Sequence, residues 1–159
     1  MSKLNFGCGG EIKTGWENVD IRALPHVSKI FDFNKYPYPL KTGKYEEILA
    51  KHILEHLDNP IRCLREFIRI SQPNAKLVLI VPHAYSYANQ TDLQHKVDFT
   101  ENSFSENLLE EYLLKELKLV KRSFLFHHKW KRFLPFKNFF KIFLNGIYDS
   151  ILFEFRIKK

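Results

Sequence analysis

The chain has 159 residues, enough for one domain with one hydrophobic core. Its hydrophobic content of 45% is ordinary for a globular protein and excludes a disordered tail and a membrane bundle. A net charge of +7 fits simple solubility or an anionic partner such as RNA or an acidic lipid surface. Two cysteines make no disulfide framework, so a reducing cytoplasm is expected. No apolar run approaches the roughly 20 residues of a membrane span, and the first residues predict a strand rather than a signal peptide.

Seven short segments have the pattern of strands, because apolar or alternating residues end at Gly, Pro or polar residues. These segments are 3–6, 17–21, 29–33, 46–50, 76–81, 119–126 and 151–157. The fifth is a continuous apolar run, as expected for a strand with helices on both faces.

Two segments between these strands predict helices. Asn59 and Pro60 form a capped start, and the residues that follow at helical spacing are Ile61, Leu64, Phe67 and Ile68. Ser103 to Glu106 matches a capping box, and its apolar stripe is Leu109, Tyr112, Leu113 and Leu117. The alternation of strands and helices favours a mostly parallel sheet in a single domain over 1–159.

The first strand runs into a glycine-rich turn, Gly7-Cys8-Gly9-Gly10, and the second strand ends at Asp20. Glycine lets the backbone approach a ligand closely, and the carboxyl end of the first strand is where open α/β sheets bind ligands. A carboxylate at the end of the second strand can accept both hydroxyls of a ribose. Either feature alone is compatible with a purely structural turn or a solvated residue, but together they indicate a nucleoside site.

The ligand is expected to carry no phosphates. A dinucleotide fingerprint needs a third glycine before a helix, but position 12 is Ile, and 11–16 is too short for a crossover helix. A pyrophosphate binds best at a helix N-terminus, which this connection does not provide. The pattern therefore favours an adenosyl compound and weighs against a NAD-dependent Rossmann oxidoreductase.

Five motifs in order resemble the class I S-adenosylmethionine-dependent methyltransferases, especially the small bacterial and archaeal branch. They are Leu-Asn-Phe-Gly-Cys-Gly-Gly from Leu4, Gly-Trp-Glu-Asn-Val-Asp-Ile from Gly15, Asp32-Phe33 before Tyr-Pro-Tyr-Pro-Leu, His-Ile-Leu-Glu-His-Leu from His52, and Leu-Val-Leu-Ile-Val-Pro from Leu77. The resemblance implies a Rossmann-like, doubly wound sheet of about seven strands that is mostly parallel, with an antiparallel last strand.

The resemblance also implies a cofactor, S-adenosyl-L-methionine, and a role for each matching residue. Gly7, Cys8 and Gly9 match the turn around the methionine part and the ribose. Asp20 matches the ribose-binding acid, and Ile21 beside it is placed in the same cofactor site.

Three further matches complete the implied site. Asp32 and Phe33 match the segment that meets adenine, and the backbone of His52 matches the part facing the methionine moiety. His56 matches a residue that is commonly structural. Asn5 stands where many members carry an acid near the methionine amino group. No helix precedes the first strand, so a partner or second subunit is expected to supply one wall.

Methyl transfer to an alcohol or a cationic amine also needs a base near the sulfonium. His52, His83 and His95 are the candidates, because each follows or faces the end of a predicted strand and histidine titrates near neutral pH. A hydrogen-bonded loop histidine is the alternative for each. The long loop 82–100 has the length of a lid or binding segment.

The segment 124–144 is both basic and aromatic, which places an insertion at about 127–147 between the last two strands. It is compatible with Phe side chains packed on the core, a helix on an anionic membrane, RNA stacking, or a homodimer contact or lid. The adjacent His127 and His128 have no acidic or Cys neighbour, so no metal site is predicted.

The leading hypothesis is a methyltransferase with an unidentified acceptor, for which small, sugar-like and lipid-linked molecules are candidates. The alternative is a non-catalytic binding module of the same fold that engages RNA or an anionic membrane.

Overall fold

A computed structural model of the chain describes residues 2–126 and 147–159. Positions 127–146, which include nearly all of the basic aromatic segment, lie outside the described residues. The expectations of an insertion, a membrane or RNA contact and a dimer contact there stay predictions.

Seven strands, three helices and one 3₁₀ turn make up the described part of the chain. The strands are β1 (Lys3–Phe6), β2 (Glu17–Asp20), β3 (Lys29–Ile30), β4 (Tyr45–Lys51), β5 (Ser71–Pro82), β6 (Leu117–Leu125) and β7 (Ser150–Ile157). The helices are α1 (Pro60–Ile70), α2 (Tyr87–Thr91) and α3 (Glu106–Glu111), and the 3₁₀ turn is Leu54–His56.

The seven strands form one sheet in the order β3-β2-β1-β4-β5-β7-β6. The pairs from β3 through β5 are parallel, whereas β7 is antiparallel to both β5 and β6. This confirms the predicted seven-stranded, mostly parallel sheet with an antiparallel last strand. β1 and β4 are neighbours although two strands separate them in sequence, so the strand order reverses between them.

One face of the sheet carries the core. α1 begins at the predicted cap, where the Asn59 side chain accepts a hydrogen bond from the Arg62 amide at 2.9 Å. Its Phe67 meets Phe6 of β1 edge to face, with ring centroids 4.9 Å apart. The buried members of this face include Leu4, Ile48, Leu77, Leu79, Phe153 and Phe155.

The other face of the sheet is only half-covered by the described residues. Along β5 the residues alternate between buried and half-buried, so the apolar run does not have two equally buried faces as its sequence predicted. The half-buried apolar residues of this face are Leu49, Val78, Ile80 and Leu152.

A row of charges crosses the same half-covered face on four neighbouring strands. Lys3 and Lys76 lie on either side of Glu47, at 2.8 and 3.6 Å, and Lys76 also lies 3.7 Å from Glu154. Alternating signs on adjacent strands are favourable cross-strand neighbours. This half of the face is therefore suited to solvent, while the apolar half lies nearer the carboxyl ends of the parallel strands.

The predicted helix from 103 to 117 is wrong in its start and its length. The Ser103 hydroxyl accepts from the Thr100 amide, and α3 spans only Glu106–Glu111. It stops in a Schellman motif, in which Leu113 has a φ of 55° and the Leu114 amide donates to the Leu109 carbonyl at 2.7 Å. The burial of Leu114 stabilises this reversal of the chain.

The helix α2 lies inside the segment 82–100, where the sequence predicted only a loop.

Arg69 of α1 fastens the segment 38–42 to the helix. Its guanidinium binds Glu66 and donates to the carbonyls of Tyr38 and Leu40 and to the Thr42 hydroxyl. Glu66 also accepts from the Tyr38 amide at 2.7 Å. Burial opposes ionisation of Glu66, but Arg69 and this amide outweigh it and lower the pKa of the carboxyl.

We predict that Arg69→Ala lowers the free energy of unfolding by about 2 kcal/mol, because several charge-assisted hydrogen bonds are lost. Arg65→Ala, on the same helix, removes one exposed bond to the Tyr112 carbonyl and serves as the matched control. Urea unfolding at pH 7 measures both. Equal losses in the two variants would contradict the role of Arg69.

The effect of Arg69→Ala is also expected to depend on pH. Because the folded-state pKa of Glu66 lies below the ordinary value of 4.5, this stabilisation is complete above that pH and is lost as the pH falls through the lowered pKa. The difference in unfolding free energy between wild type and variant should therefore shrink on acidification. A constant difference from pH 7 to the acid limb would argue against an ionised Glu66 as the partner.

Candidate functional site

A crevice of about 690 Å³ opens at the carboxyl ends of the strands around β1 and β4. This is the point where the strand order reverses, which is where open α/β sheets bind ligands. The crevice is lined by three groups of residues: the glycine turn, the ends of β2 and β3, and the segment after β4. The lining residues used below are Gly7, Cys8, Gly9, Glu11, Asp20, Ile21, Asp32, Phe33, Lys51, His52, Ile53 and His56.

The glycine turn contains left-handed backbone conformations that residues with a side chain rarely adopt. Gly7 and Gly9 have φ values of 68° and 51°, and a Cβ on Gly7 would overlap the side chain of Ile53. The amides of Gly7 and Cys8 both donate to the Val19 carbonyl, at 2.9 and 3.0 Å, and fix the turn to β2. Burial, with the nearby Asp20 charge, raises the pKa of the Cys8 thiol, so this cysteine is not poised as a nucleophile.

Asp20 is a buried acid at the edge of the crevice. Its carboxylate accepts from the Gly9 amide at 2.7 Å, from the Arg22 amide at 3.0 Å and from the Arg22 guanidinium at 3.3 Å. Burial opposes its ionisation, but these donors outweigh burial and lower the pKa. Asp20 is therefore an anion at neutral pH. A carboxylate offers about four acceptor positions, so these donors leave room for a further hydroxyl.

Two asparagine side chains close the short connection between β1 and β2. Asn5 and Asn18 are paired neighbours in the sheet, and the Asn5 amide donates to Asn18 Oδ1 at 2.9 Å and to the Glu11 carbonyl at 2.8 Å. Asn18 exchanges hydrogen bonds with the backbone of Lys13 and donates to the Trp16 carbonyl. Sequence reasoning missed this role; the signal was a buried amide at the same place in two adjacent strands.

The far end of the crevice is formed by Ile21, Asp32 and Phe33. Ile21 is 55% exposed and offers an apolar surface. Asp32 Oδ1 accepts from the Asn34 amide at 2.9 Å, which holds the carboxylate at the crevice. The Phe33 ring is stacked on Phe6 in the core at 4.1 Å, so its side chain mainly shapes the wall.

An ion pair that sequence reasoning did not predict stands at the mouth. Glu11, which follows the glycine turn, pairs with Lys51 at the end of β4. The hydrogen bond from Lys51 lowers the pKa of Glu11. A carboxylate thus lies beside the turn even though position 5 carries an amide.

The structure separates the three candidate bases. His52 lines the crevice, has a φ of 53°, and its amide donates to the Ile80 carbonyl at 2.8 Å. His83 is buried beside Tyr85 and Tyr148, with Nε2 3.5 Å from Glu101, and does not line the crevice. His95 does not line the crevice, but its ring contacts that of His56, which does.

Comparisons with known proteins find a shared fold without a shared sequence. No family model and no curated protein matches the chain. An S-adenosylmethionine-dependent methyltransferase from Archaeoglobus fulgidus is similar in structure, with a TM-score of 0.69 at 16% identity over 98% of this chain and 85% of that one. A chain from the Haloferax volcanii complex that contains the Trm112 methyltransferase activator gives 0.68 at 10% identity over 99% and 83%. The chain has the class I methyltransferase fold. The [4+2]-cyclase SpnF is also similar, with a TM-score of 0.61 at 12% identity over 99% of this chain and 74% of that one.

Because proteins with a similar fold and comparably low identity include a cyclase, the activity has to be argued from the crevice itself.

No helix within 2–126 or 147–159 has both the length and the apolar character needed to cross a membrane.

We predict that Gly7→Ala costs more stability than Gly43→Ala. Both positions have positive φ, which costs an L-residue about 1–2 kcal/mol, but a Cβ on Gly43 meets nothing within 4 Å. At Gly7 the overlap with Ile53 adds roughly 1–3 kcal/mol. Thermal and urea unfolding of both variants measure the difference.

The double variant Gly7→Ala/Ile53→Ala isolates that overlap. It should recover part of the loss of Gly7→Ala, so that the two changes are not additive. Strict additivity would mean that Ile53 does not limit the turn.

Proposed function

We propose that the protein binds S-adenosyl-L-methionine in this crevice and transfers its methyl group to an acceptor. The observation that carries the proposal is the ionised Asp20 beside the glycine-rich turn, at the point where the strand order reverses. Residues 7–16 form turns, a bend and irregular chain without a helix, so phosphates would find no helix N-terminus here. An adenosyl sulfonium compound needs none.

The residues present fit this cofactor. Asp20 would accept a ribose hydroxyl at its remaining acceptor position. Ile21, Asp32 and Phe33 would form the adenine end, with Asp32 accepting from the exocyclic amine. A Cβ on Gly10 meets nothing within 4 Å, so open space adjoins the turn. The turn of Gly7, Cys8 and Gly9 would follow the ribose and the methionine part.

The ion pair at the mouth completes the fit. Glu11 and Lys51 have the charges that complement an amino acid's ammonium and carboxylate groups, and the His52 backbone borders the same end of the crevice. Glu11 would then serve in place of the acid that position 5 lacks.

When bound, the cofactor supplies an electrophilic methyl group, and an acceptor lone pair forms the new bond as the sulfur–methyl bond breaks. The protein's part is to align the acceptor and take up its proton where one is released. We propose His52 for this proton in preference to His83 and His95, because His52 borders the crevice. Small, sugar-like and lipid-linked molecules are the acceptor classes considered, in a cytoplasmic setting.

Two other proposals concern partners. A second copy of the chain, or an activator protein such as the one in the Haloferax volcanii complex, would pack beside the crevice and form part of its wall. RNA or an anionic membrane would bind through 124–144, and without turnover this would make the protein a binding module.

Calorimetry with S-adenosylmethionine, its demethylated product and NAD tests the proposal. The first two should bind and NAD should not. Salt-sensitive binding to RNA or anionic vesicles, with no affinity for either adenosyl compound, would instead support the binding module. Demethylated cofactor released with pools of candidate metabolites would then identify the acceptor.

Asp20→Asn should weaken binding of the demethylated product by roughly 10- to 100-fold, the effect of losing a charge-assisted hydrogen bond. Asn is chosen because it keeps an oxygen for the Gly9 amide, whereas Ala would also release the turn. Asp58→Asn, at an exposed position outside the crevice, is the control. Unchanged affinity in Asp20→Asn would remove Asp20 from the site.

A further inference from the structure

A buried carboxylate lies behind the crevice wall without compensation from hydrogen bonds. The Glu55 side chain, in the 3₁₀ turn, is fully buried, and within the described ranges neither of its oxygens accepts a hydrogen bond. His52 Nδ1 lies 3.3 Å from Oε1. An ionised carboxylate taken out of water is costly unless a cation or several donors face it. Glu55 therefore calls for a positive partner.

Two further imidazoles face this carboxylate. The rings of His56 and His95 meet at 4.8 Å between centroids, and one ligand atom from each of Glu55, His56 and His95 lies within 4.8 Å of the others. The Nδ1 atom of His56 is also buried and has no hydrogen-bond partner among the residues described. Glu55 and His56 therefore each have an atom that can bind a metal ion and that makes no hydrogen bond within the described ranges.

The hydrogen bonds of His95 leave one ring nitrogen for a metal ion. Its Nδ1 lies 3.2 Å from the carbonyl oxygen of Asn89, which can only accept, so Nδ1 donates and Nε2 is the nitrogen that would face a cation. Histidines that bind metals usually donate their other N–H to such a carbonyl. Asp92, 3.6 Å from Nε2, is a further oxygen donor at the edge of the cluster.

The backbone fixes this arrangement. The amides of Lys96 and Val97 donate to the Glu55 carbonyl at 2.7 and 3.3 Å, which brings His95 beside the 3₁₀ turn although 39 positions separate it from His56 (95 − 56). The ligands are therefore held on two segments that are bonded to each other.

We propose that Glu55, His56 and His95 bind a divalent transition-metal cation. Two imidazoles and one carboxylate are a donor set that suits zinc and its first-row neighbours, and three protein ligands leave a coordination position open. Ligand atoms around tetrahedral zinc lie roughly 3.4 Å apart. The three ligand atoms lie within 4.8 Å of one another, so side-chain movements of about 1 Å would bring them to that spacing. The competing explanation is that a protonated His52 alone neutralises Glu55.

His56 also lines the crevice, so the cation would lie at its wall. If the proposed function holds, the open position could bind an oxygen of the methyl acceptor. That consequence rests on the proposed function, whereas binding of the cation does not.

The test uses full-length protein without a histidine tag, freed of metal by a chelator and dialysis. Cobalt(II) is titrated in and followed by its visible absorption bands, and zinc(II) is then added in competition. We expect one equivalent of cobalt with bands of low coordination number, displaced by zinc. Zinc should also raise the thermal midpoint of unfolding by several degrees, since it binds only the folded chain.

Glu55→Gln and His95→Asn should each weaken cobalt binding by roughly tenfold or more and reduce the zinc-dependent rise in midpoint accordingly. His26→Asn is the matched control, because His26 is exposed and Asn tolerates its φ of 64°. It should bind cobalt as the wild type does. Metal-free Glu55→Gln should unfold in one cooperative transition near the temperature of metal-free wild type, since Gln keeps the shape of the buried side chain; this shows that the variant folds.

Absence of cobalt bands with no zinc-dependent midpoint shift would overturn the proposal and support His52 as the sole partner of Glu55. Binding that survives in both variants would overturn it as well. Because no adenosyl compound is used, failure here leaves the proposed methyltransferase function untouched, and failure of cofactor calorimetry leaves the cation site untouched.

Discussion

The amide pair of Asn5 and Asn18 is the interaction on which the crevice depends. With only ten positions (7–16) between β1 and β2, no crossover helix covers the connection, and the chain has to reverse within a few turns. The two amides satisfy the backbone of that loop from inside the sheet. Buried backbone groups without partners would be costly, so these side chains replace what a helix would otherwise provide. The positions of the glycine turn and of Asp20 therefore depend on this connection between β1 and β2.

Local signals in the sequence were sufficient for the sheet and for most of the crevice. Periodicity located every strand, Asn59 and Pro60 located α1, and glycines next to an acid located the crevice. The failures share a cause: they depend on tertiary contacts. The helix from 103 was predicted too long because burial of Leu114 outweighs the apolar stripe. The pairing of Glu11 with Lys51 joins residues 40 positions apart, which no local pattern reveals.

The Glu55 cluster shows the same limit more sharply. The sequence shows His52, Glu55 and His56 within five positions. The resemblance to class I methyltransferases, however, implied a structural role for His56. The backbone bonds from Lys96 and Val97 to Glu55 bring His95 to the carboxylate. The role of a polar motif next to a crevice therefore depends on the distant segment that packs against it.

The crevice also has a simple relation to the order of protein synthesis. Among the residues that the structure describes, all those lining the crevice except Gln94 belong to the first 57 positions. These residues emerge from the ribosome before α1 and β5, so the ligand-facing surface is translated before the strand that completes its support on the far side of β4. The nascent chain thus carries nearly all of the described crevice residues while three of the seven strands are still to be made.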